Sequence, residues 1–137
     1  MIKQKIFTWQ TCGRGMYECT DTLNAWLQAE DLQQGIVNLF LQHTSASLVI
    51  CENADPTVQE DVLDDFKRRF VDGDPRYHHC FEGDDDMSAH LRTLMTGCSL
   101  TLPVAQGRLC LGTWQGVFLF EHRESRHNRR LVASFLC

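Results

Sequence analysis

The run Ile36-Val37-Asn38-Leu39-Phe40-Leu41-Gln42-His43-Thr44 and the run Ser47 to Glu52 that follows it decide the fold of this chain. Both are dense in β-branched, aromatic and aliphatic residues, the composition of strands. The tripeptide Thr44-Ser45-Ala46 between them is too short for a parallel crossover, so the two are expected to be antiparallel neighbours. Upstream, residues 2–11 read as a strand, Gly13 and Gly15 as a turn, and Met16 to Cys19 as a second short strand. Thr20 or Asp21 offers an N-cap to a helix carrying Leu23, Trp26, Leu27 and Leu32, which Gly35 ends.

Downstream, Asp55 caps a helix that opens with Pro56, a residue whose fixed φ and missing N–H suit the first helical position. Val58, Val62, Phe66 and Phe70 recur at four-residue spacing, with Leu63 widening the stripe, so one face of this helix is expected in the core. Acids from Glu60 to Asp65 give way to Lys67, Arg68 and Arg69, which suits the helix dipole. Residues 71–86 are turn chemistry and acidic loop, and a shorter helix is expected over about 87–96 with Met87, Leu91 and Leu94 or Met95 inward. Strands return at Ser99–Pro103, Arg108–Leu111, Gln115–Glu121 and Arg129–Leu136. Val117 to Phe120 lacks alternation, so both its faces should be covered, by a second sheet or by another subunit. With no linker or repeat, residues 1–137 are expected to form one α+β domain with antiparallel sheet.

The composition excludes several classes. With 137 residues and a net charge of −5, the chain is not the basic protein that general nucleic-acid binding calls for. No apolar run approaches the ~20 residues of a membrane-spanning helix, and the first residues lack the apolar segment of a secretory signal. Seven cysteines without a C-x-x-C pair are expected to be reduced thiols in a cytoplasmic protein, with Cys51 and Cys110 acting as small hydrophobes in their strands.

The candidate chemistry centres on His43, His79 and His90, each from a different predicted element. Three imidazoles suit a zinc-class ion with an open position; separately hydrogen-bonded histidines are the alternative. Glu52 follows a strand and is not needed for capping, so it is a candidate metal ligand or general base, beside the cap Asp55. Twelve of the eighteen acids lie between Glu52 and Asp86, and five of the thirteen Lys and Arg residues lie between Arg108 and Arg130. Such a distribution could hold a divalent cation and a phosphate together, or form solvated faces.

Gln42-His43-Thr44-Ser45-Ala46-Ser47-Leu48, Glu52-Asn53-Ala54-Asp55-Pro56-Thr57-Val58, Asp85-Asp86-Met87-Ser88-Ala89-His90-Leu91, Gly112-Thr113-Trp114-Gln115-Gly116-Val117 and Glu121-His122-Arg123 with Arg129-Arg130 together resemble the YjbQ-like family. The resemblance runs from about residue 3 to residue 134, with departures at Val71, Ser88 and Asp86, where relatives often carry Pro, Pro and Asn. It implies two packed, largely antiparallel sheets with two to three helices, assembled as a homotrimer. It also implies a transferase, a secondary thiamine-phosphate synthase that joins a hydroxymethylpyrimidine diphosphate to a thiazole phosphate and releases diphosphate. Under that reading His43, Glu52, His79 and His90 are catalytic. Asn53, Arg108, Trp114, Gln115, Arg123, Arg129 and Arg130 bind substrate, and a divalent metal is held among His43, His79, His90, Glu52, Asp55 and Asp86. Mg²⁺ suits the diphosphate chemistry, whereas the histidines suit a zinc-class ion. Two other classes stand beside it: a metal-dependent hydrolase or lyase of a small phosphorylated metabolite with Glu52 as base, and a non-catalytic metabolite-binding trimer.

Overall fold

A computed structural model describes all residues, 1–137. Strand β1 (Ile2–Cys12), β2 (Gly15–Glu18), helix α1 (Thr20–Ala29), β3 (Gly35–Leu41), β4 (Ala46–Glu52), α2 (Pro56–Arg69), α3 (Asp84–Thr96), β5 (Ser99–Ala105), β6 (Arg108–Leu109), β7 (Gln115–Glu121) and β8 (Arg126–Leu136) follow in order. They form a five-stranded sheet, β1-β8-β3-β5-β6, and a three-stranded sheet, β2-β7-β4, with every pairing antiparallel. The α+β architecture of one domain with two antiparallel sheets and three helices is therefore as expected.

Period-two burial builds the core. On β3, Val37, Leu39 and Leu41 turn inward while Ile36 and Phe40 face out. They meet Leu131, Ala133 and Phe135 of β8, Leu48 of β4, Val117 and Leu119 of β7, and Leu23, Trp26 and Leu27 of α1 in one cluster. Gly35 is required where β3 starts, since a Cβ there would lie 2.3 Å from the Leu136 carbonyl oxygen. Val117 to Phe120 is buried throughout, as its composition demands. One face packs into the inter-sheet core. The other is covered by this chain itself, Phe66 of α2 stacking on Phe120 at 5.3 Å.

Three expectations are corrected. β3 and β4 do not pair: they belong to different sheets, and Gln42–Ser45 carries the chain across the gap between them. Stacked sheets lie ~10 Å apart, a distance that four residues can cross, so a short connection does not by itself imply a hairpin. Helix α2 buries none of its residues completely, although its cap is as expected, with Asp55 accepting from the Thr57 amide at 2.9 Å. Helix α3 starts at Asp84, after Gly83 with φ +101°, and turns its polar side inward. Asp86, Ser88, Ala89, Arg92 and Thr93 are buried, whereas Leu94 and Met95 are 82% and 60% exposed. The interior that α3 meets is polar, so amphipathicity is inverted there. In addition, Cys19 rather than Thr20 or Asp21 stands at the N-cap of α1 and makes no side-chain cap bond. All seven cysteines are free; Cys110 is exposed, and the buried one is Cys19, whose thiol is pushed up to about 12 by burial.

Candidate functional site

The site lies at one end of the sandwich, where β3 runs out, β4 and α3 begin and β7 ends. Its foundation is a buried ion pair. Glu121, the last residue of β7, takes the Arg129 Nε at 2.7 Å on one oxygen and the Arg129 Nη2 on the other. Thr11 donates to the same carboxylate at 2.6 Å, and the amides of His122 and Arg123 add bonds of 3.0 and 3.1 Å. Burial pushes the Glu121 carboxyl up, but the Arg129 and Thr11 hydrogen bonds outweigh it and hold the group below its ordinary range. Arg129 also reaches Ser45, donating to its carbonyl at 3.2 Å and its hydroxyl at 3.0 Å, and so fixes the loop that carries His43 and Thr44.

His43 is set by the neighbouring strand. Its Nε2 accepts the Arg130 backbone N–H at 2.8 Å, and its Nδ1 lies 3.3 Å from the Arg129 Nη1. Burial, then the charge of Arg129, lowers its pKa, so it stays neutral. With Nε2 engaged by an amide, His43 lies beside the group of side chains that could hold a metal ion rather than in it.

That cluster is His79, Asp86 and His90, whose ligand atoms lie within 4.8 Å of one another. Asp86 and His90 sit one helical turn apart on α3, and His79 comes from the loop before it. The Asp86 Oδ2 is 2.6 Å from His79 Nε2 and 3.1 Å from His90 Nε2, while its Oδ1 accepts from Arg123 Nη1 at 2.7 Å. Arg123 is anchored in turn by Asp85 at 3.0 Å and by the Glu82 carbonyl at 2.9 Å. Burial alone pushes Asp86 up, yet the hydrogen bond from His79 and the charge of Arg123 keep its pKa below the usual carboxylate value. His90 Nδ1 faces the Thr44 carbonyl oxygen at 2.9 Å, so that nitrogen carries the proton and Nε2 presents its lone pair to the cluster. The donor set of two imidazoles and one carboxylate, with the other nitrogen of His90 fixed by a carbonyl, suits a zinc-class ion better than Mg²⁺.

Beside the cluster opens a cavity of about 370 Å³ lined by His43, Thr44, His90, Thr93, Leu94, Gly97 and Cys98. The Thr93 hydroxyl is buried there without a hydrogen-bond partner. Below it, Thr96, Ser47 and the buried His122 form a chain, with Ser47 Oγ 2.8 Å from His122 Nε2. Burial first, then Arg92, Arg14 and Arg129, lowers the His122 pKa to about 3, so this ring is permanently neutral at physiological pH.

Not all candidate residues share this end. Glu52 and Gln115 pair at the far end of β4, six strand steps from Ala46 and hence about 20 Å away. Glu52 accepts the Asp55 amide at 3.2 Å, Asn53 donates to Glu18 at 3.1 Å, and Trp114 is 62% exposed. Arg108 is also remote, beyond the pairing of Gly35 with Val104. Arg123 and Arg129 lie at the histidine end but are bound to carboxylates, and Arg130 contributes its backbone amide. Sequence reasoning missed the Thr44 carbonyl, Arg123 as the anchor of Asp86, and the cavity residues Thr93 and Cys98. The Arg123–Asp86 pair, 37 residues apart, had no sequence signal.

The family model described as UPF0047 protein YjbQ-like matches residues 5–137. The chain belongs to this family. It is 44% identical over 135 residues to the UPF0047 protein YjbQ of Escherichia coli O157:H7, covering 98% of this chain and 97% of that one. It is 42% identical over 129 residues to a UPF0047 protein of Synechocystis, covering 94% and 88%. Among solved structures, a conserved hypothetical protein of Thermus thermophilus superposes with a TM-score of 0.87 at 34% identity, covering 96% of this chain and 99% of that one. A YjbQ/UPF0047 protein of Clostridium acetobutylicum gives 0.86 at 26%, again over 96% and 99%. The YjbQ-like sandwich therefore extends over nearly the whole chain. No helix in it is long and apolar enough to cross a membrane.

Proposed function

We propose that this YjbQ-like chain is a metal-assisted hydrolase or lyase of a small phosphorylated metabolite, working at His79, Asp86 and His90. One observation carries the reading: the Thr44 carbonyl takes the His90 Nδ1 proton and turns the Nε2 lone pair toward a carboxylate oxygen 3.1 Å away. Two acceptors so placed repel unless the ring gains a second proton or a cation lies between them. A zinc-class ion bound there supplies Lewis acidity to a substrate oxygen. Arg123 holds Asp86 in place for it. The exposed Glu82 carboxylate, 3.8 Å from His79 Nε2, is positioned to move a proton, a role that Glu52 is too distant to fill within one chain. Thr93 offers its free hydroxyl to a polar edge of the substrate, whose apolar part lies along Leu94 and Cys98.

The thiamine-phosphate synthase reading requires unpaired cations on a departing diphosphate. Arg123 and Arg129 are already neutralised, Arg108 and Trp114 stand at the other end, and of the candidate cations only the exposed Arg130 is left at the histidine end, so the hydrolase or lyase reading has the better geometric support. The homotrimer belongs to the same proposal: Ile6, Ile36, Phe40 and Leu136 form an exposed apolar surface on the five-stranded sheet that further copies would cover. The test is metal analysis of the purified chain, followed by turnover of a panel of phosphate and diphosphate esters that includes the two thiamine precursors. About one zinc-class ion per chain, lost in His79→Ala and His90→Ala together with turnover, supports the proposal. A metal-free wild type with no turnover sinks it, and product from the two precursors alone would restore the synthase.

A further inference from the structure

We propose a second ligand site, on the opposite side of α3, that takes a tetrahedral oxyanion between Arg92 and Lys67. Ser88 and Arg92 lie one turn apart on this helix, on the side away from Asp86 and His90. Arg92 is only 3% exposed, and its charge is unusual in this molecule. Arg129 is paired with Glu121, Arg123 with Asp85 and Asp86, and Arg14 with Asp72 and Glu124. Arg92 has no carboxylate partner. Its Nη2 donates to the Phe70 carbonyl at 3.0 Å and its buried Nε donates to nothing. The acid whose charge it feels most, Asp72, is occupied by the Arg14 guanidinium and by the Ser88 hydroxyl. Burial, then the charge of Arg14, works against the cation, yet a guanidinium stays protonated and so calls for an anion.

The space for one is present. Arg92, Arg14, Leu63, Asp64, Lys67 and Glu124 line a cavity of about 160 Å³, several water volumes. Lys67 reaches it from α2 and is itself exposed. Arg14 is already bound to Asp72 and Glu124, so of the lining charges Arg92 and Lys67 are left facing Asp64 alone. A phosphate or sulfate, or the phosphoryl group of a metabolite, presents oxygens in a fork that a guanidinium binds bidentately, with the lysine as a point charge. An anion there would tie α2 to α3 and, through Phe70, to the loop that carries His79.

The experiment is calorimetric titration of the full chain with inorganic phosphate and with sulfate, against chloride at equal ionic strength. Wild type is expected to bind one phosphate or sulfate per chain. Lys67→Gln, an exposed change that leaves folding untouched, should weaken binding roughly 5- to 10-fold, the loss of one charge-assisted contact. Arg92→Lys should weaken it further, and Arg108→Gln, at the far end, should not alter it. His79→Ala should retain binding, which separates this site from the metal centre. Absence of phosphate and sulfate binding in wild type overturns the proposal, as does binding that Lys67→Gln and Arg92→Lys leave unchanged or that His79→Ala removes. If phosphate and sulfate bind alike, the shared oxyanion chemistry suffices; tighter binding of a phosphorylated metabolite that Lys67→Gln also weakens would identify that as the source.

Discussion

The two ends of the sandwich handle polar residues in opposite ways. At the end where β7 finishes, Glu121 and His122 are wholly buried, and a continuous set of hydrogen bonds links them to Arg129, Ser45, Ser47 and Thr96. At the other end of the same two strands, Glu52 and Asn53 make local bonds at the surface, and Trp114 lies largely open to solvent. The difference teaches that the first end holds its side chains at fixed positions through buried hydrogen bonds, whereas the second holds its own through short local bonds at the surface. Preorganisation of this kind is what a reacting centre needs.

The comparison can be broken most severely with acid. His122 has a pKa near 3 in the fold, against 6.5 ordinarily, so the unfolded chain binds the proton that the native chain refuses. Full stability is thus present above about pH 6.5, and on the order of 4–5 kcal/mol is lost as pH falls toward 3. Denaturant melts across that window should show this slope, and His122→Gln should flatten it. Glu121 adds to the same limb at lower pH, because its folded pKa is depressed and its contribution disappears as the carboxylate is protonated. Replacing it tests the foundation directly. Glu121→Gln leaves Arg129 buried and uncompensated and should cost about 3–5 kcal/mol by chemical denaturation.

A sharper and smaller effect is expected at the residue that anchors the candidate metal ligand. Arg123→Gln releases Asp86 Oδ1 and should lower zinc affinity roughly 10- to 100-fold while the fold persists, measurable by competition with a chelating dye. Least of all should come from the open end. Trp114→Ala should alter the stability of the isolated chain by no more than about 0.5 kcal/mol, and Glu52→Gln should leave metal content unchanged. Loss of turnover in Glu52→Gln with metal retained would point to the two ends meeting between copies, as the proposed trimer allows.

Much of this architecture is legible in local residue chemistry. Asp55-Pro56 announces the start of α2, and the unbroken apolar run Val117–Phe120 announces a strand covered on both sides. What is not legible depends on space. The connection from His43 to Ala46 suits a hairpin as well as a jump between sheets, and only packing of the inward leucines chooses the jump. His43 and Glu52 are nine positions apart in the sequence, yet an extended strand separates them by its full length. The reverse holds for Arg123 and Asp86, distant in sequence and 2.7 Å apart in the fold. Helix α3 misleads a reader of the sequence because Leu94 and Met95 carry its apolar signal while its buried side is the polar one.

That inverted helix has a consequence for which kinds of change the segment can survive. Asp86 and His90 serve one flank, and Ser88 and Arg92 serve the other, so both flanks are read from a single angular setting of the backbone. Inserting or deleting one residue between 86 and 92 would swing everything beyond it by about 100° and put both flanks out of phase together. Point substitutions at the outward Met95 change neither. The segment should therefore drift freely in letters there while its length stays locked, a pattern of fixed spacing that arises from rotation rather than from the value of any one side chain.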